Sequence, residues 1–587
     1  MAPPKWDLDQ FGLGSSEDIL SSLNGMPARA EGFAKARAKG IVRLGPKGIR
    51  RLIEDRDALE LEFEGAWLYG RLDANARTND PVAGKLNNAA NDSMAGVSQA
   101  YAPLDIALAK RVLAMPDLIQ SKELARYRHY LERVHRGASH LLSEKEERLI
   151  LEKDKTGMTE WSQLQRSWLS TRKFPVNIDG NEKLLSFGEV YGMLFGPRRD
   201  LRKQAAEVVS KRLQENEIVW SHALRSICAD HFHTCELRGY SSPLDASYVY
   251  YDVTADSVRS MMGVIGKNLE LNAGWLEKKT KLLGVDRMCS WDISALIPTK
   301  EEHDYEWEEA VRIVDSAYSQ FDGQLGNWVR EMFSSNRLDA EVREGKAAGA
   351  FSQDWLGGKS AFILMSHNRT LKDVYTLAHE LGHSIHTYLY SRVQAPVNCR
   401  ISYCIAECGS TFGELLLTDQ LLAAAKSDEE RRMVLAEVLT SFNNVVFQTT
   451  GRYRLETSLY DAVREGKYLD GEAISALWVE ARDYVNGDAV EWLPESKWDW
   501  ARVPHYFFSD TRYYNYPYAF AQLFTFALYR TYKEEGRGFV PKFKAMLAAG
   551  SSRSPEGLAS DFGFDLGSEA FWEKGMEQAR EFLAMLR

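Results

Sequence analysis

"TLAHELGHSIH" (376–386) sets two histidines four positions apart, with a glutamate directly after the first. The reading of this stretch decides the fold. The residues around it favour a helix. Thr370 followed by Asp373 suits an N-terminus, and Leu371, Val374, Leu377, Ala378, Leu381 and Ile385 recur at helical spacing. The pattern predicts a helix over 371–388. On such a helix His379 and His383 lie one above the other. Their ring nitrogens can then reach one Zn2+ at about 2.0–2.1 Å. Glu380 is turned away by about 100°, as expected of a general base addressing water rather than of a ligand. Gly382 costs roughly 1 kcal/mol relative to alanine inside a helix. Close approach of a second helix would explain it.

A match to H-E-x-x-H arises by chance in roughly one chain in fifty of this length, so the motif alone leaves an ordinary solvated helix open. A catalytic zinc also needs a third protein ligand and an open position. Downstream, "SYCIAECGSTFGELLLTDQLL" (402–422) reads as a second helix, and its Glu407 lies 24 residues after His383. A carboxylate from a neighbouring helix supplies what is missing. Glu414, two helical turns further, either orients a ligand histidine through its second ring nitrogen or makes a surface ion pair.

Working outward, the bulk numbers fit an enzyme-sized globular protein. The chain has 587 residues, 44% of them hydrophobic and 27% charged, with a net charge of −10. The acidic balance and the lack of a long basic run argue against a nucleic-acid surface. The start, "MAPPKWDLDQFGLGSSEDIL", shows no secretory pattern. No run approaches the ~20 apolar residues of a membrane span. Six cysteines are too few for a disulfide framework here. Together these suggest a reduced, cytoplasmic protein. Helical periodicity dominates in "DIALAKRVLAMPDLIQ" (105–120) and "LRKQAAEVVSKRLQENEIVWSHALRSICADHF" (201–232). A soft boundary falls at 170–192, where Pro175, Asp179 and Gly180 interrupt the helices. It suggests an N-terminal helical lobe over 1–185 and a catalytic domain over 186–587. "SAFILMS" (360–366) is short, apolar and bounded by Gly357, Gly358 and Asn368, and reads as a strand. "CADHFHTCE" (228–236) gathers Cys228, His231, His233 and Cys235, but inside a helical pattern without paired C-x-x-C spacing. Cys404 and Cys408 read as small buried residues.

"TLAHELGHSIH" followed by "IAECGSTFGE" (405–414) resembles the thimet oligopeptidase and oligoendopeptidase F family of zinc metallopeptidases, particularly the bacterial oligoendopeptidase F branch. "KWDLDQFG" (5–12), "LRGYSSPLDASY" (237–248), "DISALI" (292–297) and "PHYFFSDTRYYNYPYAFA" (504–521) agree more weakly. The resemblance implies a mainly α, zincin-type fold with a small β-sheet beside the site and two lobes enclosing a deep substrate channel. It implies one Zn2+ per chain on His379, His383 and Glu407, with Glu380 as base. It implies that "SAFILMS" is an edge strand along which a peptide lies extended, the alternative being a buried core strand. In the Tyr-rich stretch it implies His505 as a substrate or transition-state contact and Tyr516, then Tyr513, as donor to the oxyanion. Packing is the alternative for each tyrosine. The function expected is zinc-dependent endopeptidase activity on short unstructured peptides, without nucleic-acid or membrane partners. A zinc carboxypeptidase or dipeptidyl carboxypeptidase of similar design is the nearest alternative, and a non-catalytic peptide-binding protein a more distant one.

Overall fold

The computed structural model describes residues 2–298 and 303–586. They form two compact units, each drawn from three stretches of chain. Unit 1 comprises 1–139, 302–424 and 531–564; unit 2 comprises 140–301, 425–530 and 565–587. The units therefore do not follow a single cut near 185. The residues at the expected boundary form a hairpin inside unit 2, with β1 (Lys173–Ile178) antiparallel to β2 (Asn181–Ser186). Asp179 and Gly180 both have positive φ, the two-residue turn whose twist matches that of the paired strands.

Unit 1 begins with three long helices, α1 (Ser16–Ala38), α2 (Pro46–Ala76) and α3 (Pro81–Ala114). A capping box of Ser15 with Asp18 starts α1, and the Asp80 side chain accepts the first free amides of α3. Ile19, Leu23, Met26, Phe63, Leu86 and Val97 form their common core. The three-stranded sheet of this unit is ordered β3 (Leu338–Asp339), β5 (Ser360–Leu364), β4 (Phe351–Trp355), with β5 parallel to β3 and antiparallel to β4. Phe362 and Leu364 pack on Trp6, Leu68 and Leu72. The alternation of strand side chains turns Ala361 and Ile363 to the opposite face. The helix bearing the histidine pair, α6 (Leu371–Ser391), packs on this sheet.

The expectation that Ser360–Leu364 is an edge strand is overturned. β5 is the centre of its sheet, every residue of it is buried, and β4 holds the open edge. The apolar run Ala361–Leu364 meets neighbours on both faces, whereas the partly exposed "FSQDW" of β4 tolerates water along one side.

Unit 2 is helical apart from the hairpin and is used below through α4 (Glu217–Leu237) and α8 (Thr449–Arg464). All six cysteines are buried and free of disulfides. No helix among the described residues is long and apolar enough to cross a membrane.

Candidate metal centre

Helix α6 begins as its sequence predicts. Thr370 and Asp373 form a capping box, and Val374, Leu377, Ala378, Leu381 and Ile385 are buried. The second segment is not one continuous helix. A single turn over Tyr403–Ala406 ends at Glu407, and α7 (Cys408–Ala424) starts on the next residue. Glu407 thus sits at a break, where its side chain is not committed to a helical face. Ser410 donates to both the carbonyl and the Oε2 of Glu407, the latter at 2.7 Å, and anchors the carboxylate. Ser410 was not visible as a site residue in the sequence, since a serine three residues after a glutamate carries no distinctive signal.

The crossing of α6 and α7 depends on two glycines. A Cβ at Gly382 would lie 2.3 Å from the Gly409 carbonyl oxygen, and one at Gly409 would lie 2.5 Å from that of Gly382. The helix-interior glycine is there because another helix approaches, as the sequence suggested. Tyr318 on α5 (Trp307–Phe321) donates to the Ala378 carbonyl at 2.7 Å and ties a third helix to the same point.

The crossing brings three ligand atoms together. His379 Nε2 and His383 Nε2 are 3.2 Å apart, and Glu407 Oε2 lies 3.3 Å from the first and 3.2 Å from the second. Ligands about 2.0–2.1 Å from a tetrahedral ion stand about 3.3 Å from one another, so this near-equilateral triangle fits zinc. Among the described residues it is the only such grouping of His, Cys, Asp and Glu. Glu414 Oε1 is 2.5 Å from His379 Nδ1. With a metal on Nε2, that contact would hold the remaining ring proton on Nδ1. The two readings left open for Glu414 are thereby separated, because its partner is the histidine and not a surface cation. Glu414→Gln is expected to weaken zinc binding by about 10- to 100-fold while the helices stay folded. Competition against a chromophoric chelator measures this, and unchanged affinity would remove Glu414 from the site.

The charges at the cluster depend on one another. Burial disfavours an imidazolium at His379, yet hydrogen bonds to Glu407 and Glu414 hold it well above the ordinary histidine range. Burial likewise opposes ionisation of Glu407, but the two imidazoles hold it well below the usual carboxylate range. Glu380 is different. It is buried, its Oε2 has no hydrogen-bond partner within the protein, and burial raises its pKa. A buried carboxylate oxygen without a protein partner is rare unless something else binds there.

His505, Tyr513 and Tyr516 lie in unit 2. His505 Nδ1 is 2.9 Å from Asn515 Oδ1, and its ring stacks with Tyr518. The Tyr516 hydroxyl is 3.3 Å from Ser247 Oγ, and its ring packs among Tyr248, Tyr251 and Tyr453. Tyr513 is a bulky residue at positive φ, a conformation that needs support. Its N–H donates to Glu456 Oε1 at 2.7 Å, and its ring stacks on Tyr460. Both Tyr513 and Tyr516 are fully buried.

Burial pushes Glu456 up to about 7, against the Tyr513 N–H and the Arg512 charge. An unfolded chain releases that proton near 4.5. The stabilisation from the protonated form is therefore complete below the unfolded value and is lost as pH rises through about 7. Stability is expected to fall by about 3 kcal/mol between pH 5 and pH 8, and this part of the slope to vanish in Glu456→Gln. Urea unfolding at the two pH values checks it; equal slopes in both proteins would refute it.

The cysteine and histidine group of α4 is not a metal site. Cys235 Sγ lies 3.4 Å from His231 Nε2 one turn away, His233 is exposed and bonded to Glu236, and Cys228 is buried. Cys404 and Cys408 are both fully buried, as expected of small core residues.

The chain is similar to known proteins in sequence and in fold. A family model described as Peptidase family M3 matches residues 193–578, and one described as Oligopeptidase F matches residues 114–174. Oligopeptidase PepF of Bacillus subtilis (strain 168) is 25% identical over 510 residues, which cover 86% of this chain and 75% of that protein. An oligoendopeptidase F homolog of Lactococcus lactis is 26% identical over 467 residues, covering 78% and 75% of the two chains. The fold is that of oligoendopeptidase-F from Enterococcus faecium, with a TM-score of 0.69 at 20% identity over 99% of both chains. A peptidase from Chlamydophila abortus superposes with a TM-score of 0.86 at 19% identity, over 99% of this chain and 97% of the other.

Proposed function

The chain belongs to peptidase family M3, on its oligopeptidase F branch, and from that premise we propose that it is a zinc-dependent endopeptidase that hydrolyses internal bonds of short unstructured peptides. The observation that supports this best is the triangle of His379, His383 and Glu407, whose edges suit zinc.

One zinc ion bound there would polarise the scissile carbonyl and the attacking water. The protein's own groups do the rest. Glu407 and the two Nε2 atoms hold the ion, and Glu414 keeps the His379 ring in the required tautomer. Glu380, adjacent and unpartnered, takes a proton from the water as it attacks and delivers it to the leaving amine nitrogen. The open edge of β4 offers backbone N–H and C=O groups to an extended peptide whatever its side chains, the role that resemblance had implied for β5. Ser352 Oγ on β4 lies 3.0 Å from Ser384 Oγ on α6, so this edge runs beside the helix of the metal ligands. His505 contacts the substrate, and Tyr516, or after it Tyr513, donates to the oxyanion. Since both tyrosines are buried, that role requires the 508–516 segment to open. Restriction to short peptides is supported by likeness to proteins named oligopeptidases, and a cytoplasmic location is part of the same proposal.

A peptide blocked at both ends tests the proposal. The purified protein is expected to contain one zinc per chain and to cut such a peptide internally, with activity lost on chelation and restored by zinc. If only peptides with a free C-terminus are cut, the enzyme is a carboxypeptidase or dipeptidyl carboxypeptidase. Bound metal without turnover on any peptide would mean a binding protein.

A further inference from the structure

Unit 2 contains a cavity of about 390 Å3, within the range that takes a small ligand, lined by Trp291, Trp492, Tyr518, His505 and Arg452. Its walls mix aromatic and aliphatic side chains with serines and amides. Two arginines and one carboxylate face it, and only one arginine is matched. Asp499 accepts from Ser210 Oγ at 2.6 Å and lies 3.5 Å from Arg502. Arg452 has no ion-pair or hydrogen-bonding partner for its guanidinium among the described residues. Burial pulls its pKa down, and nearby Arg502 adds to that. A half-buried guanidinium without a protein partner, beside aromatic walls, is free to pair with an anionic ligand.

A second feature marks the same wall. Residues Asn443–Gln448 form a π-helical turn that runs into α8, the helix of Arg452. Asn444 and Gln448 of that turn line the cavity. Such turns are rare and are concentrated at functional sites. This one lies one turn before Arg452 in the chain, and the Gln448 amide is held by Asn486 at 2.9 Å.

We propose that this cavity binds a carboxylate carried on an apolar body, with Arg452 as its counter-ion and the tryptophans around the apolar part. A planar guanidinium with free nitrogens pairs bidentately with a carboxylate, which a lysine could not do. The proposal deepens the peptidase reading and rests on it, because His505 belongs to both. The ligand is then part of the peptide substrate. Its carboxylate comes either from a free C-terminus ending in a large apolar residue or from an acidic side chain within the peptide. Internal cleavage of blocked peptides remains, and carboxylate-bearing substrates are preferred over it. Arg452 is accordingly a specificity-determining residue.

Paired peptides decide the matter. One pair ends in phenylalanine as free acid or as amide; the other, blocked at both ends, carries Glu or Gln at each position near the cut. The wild-type enzyme is expected to show a kcat/KM ratio of about 10- to 100-fold in favour of the carboxylate in one of the two pairs, chiefly through KM. Arg452→Met should bring that ratio close to one, and Arg452→Lys should restore only part of it. The pair that responds identifies the source of the carboxylate. Absence of preference in both wild-type pairs overturns the proposal whether or not the variants fold, as does a preference that survives Arg452→Met. Binding of N-acetyl-phenylalanine against its amide, measured calorimetrically on Glu380→Gln protein, separates this outcome from failure of the peptidase reading. Acid-selective binding abolished by Arg452→Met supports the cavity even if no peptide is cut. Acid and amide binding alike would exclude a terminal carboxylate and leave the Glu and Gln series to decide.

Discussion

Glu380→Gln is expected to abolish nearly all peptide cleavage while leaving the metal in place. The amide has the size and shape of the carboxylate but cannot accept a proton. General-base assistance is worth about 10²–10⁴ in rate, so kcat should fall by at least about a hundredfold with KM little changed. The change touches none of the proposed ligands, His379, His383 and Glu407, so zinc content is expected to stay at the wild-type level. The surroundings of Glu380 make it suited to the task. Its buried position raises its basicity, and its Oε2 atom has no hydrogen-bond partner within the protein. Mass-spectrometric mapping of a peptide mixture, alongside metal analysis of both proteins, checks the expectation. A variant retaining more than about a tenth of wild-type turnover would assign the base to another residue.

Gly382→Ala is expected to be nearly as damaging for a different reason. Its Cβ would come within 2.3 Å of the Gly409 oxygen and 2.6 Å of Ser410 Cα. These are backbone atoms and cannot swing aside, so the helices must separate by about an ångström to reach ordinary contact. Overpacking of this kind typically costs about 1–3 kcal/mol, and a clash of backbone against backbone belongs at or above the upper end. The loss extends to function, because Glu407 and its anchor Ser410 stand at the start of the displaced helix. Metal–ligand distances tolerate only about 0.2 Å of error, so zinc affinity should fall sharply together with the thermal midpoint. A variant with wild-type zinc affinity and an unshifted melting temperature would show that the glycine crossing does not position the ligand.

The parts of the centre that could be read in advance are those set by neighbours in the chain. The capping box at Thr370, the apolar face of α6 and the alignment of His379 with His383 all follow from 3.6 residues per turn, and the structure reproduces each of them. Glu407 and Glu414 were legible from their spacing on the segment after the histidines, and resemblance to a known motif agreed. The break that turns Glu407 toward the histidines was not, since "YCIAECGST" reads as uninterrupted helix. The tyrosines of 513–518 show the limit from the other side. A run of aromatic residues signals burial, but which hydroxyl faces a substrate depends on partners such as Ser247 and Glu456, both more than fifty residues away in the chain.

What the sequence by itself determined is the helix that aligns His379 with His383 and the mainly α class, because each rests on residues within a few positions of one another; the reason for a glycine at 382 lies in Gly409, 27 residues on. What only the tertiary structure decided is that β5 lies at the centre of its sheet, that three stretches of chain build each unit, and that Arg452 faces a cavity without a counter-ion. An apolar run has the same composition at the middle of a sheet and at its edge, and an arginine has the same charge whether or not it is matched. The difference lies in which distant residues pack beside them, and that is settled when the whole chain finds its lowest free energy.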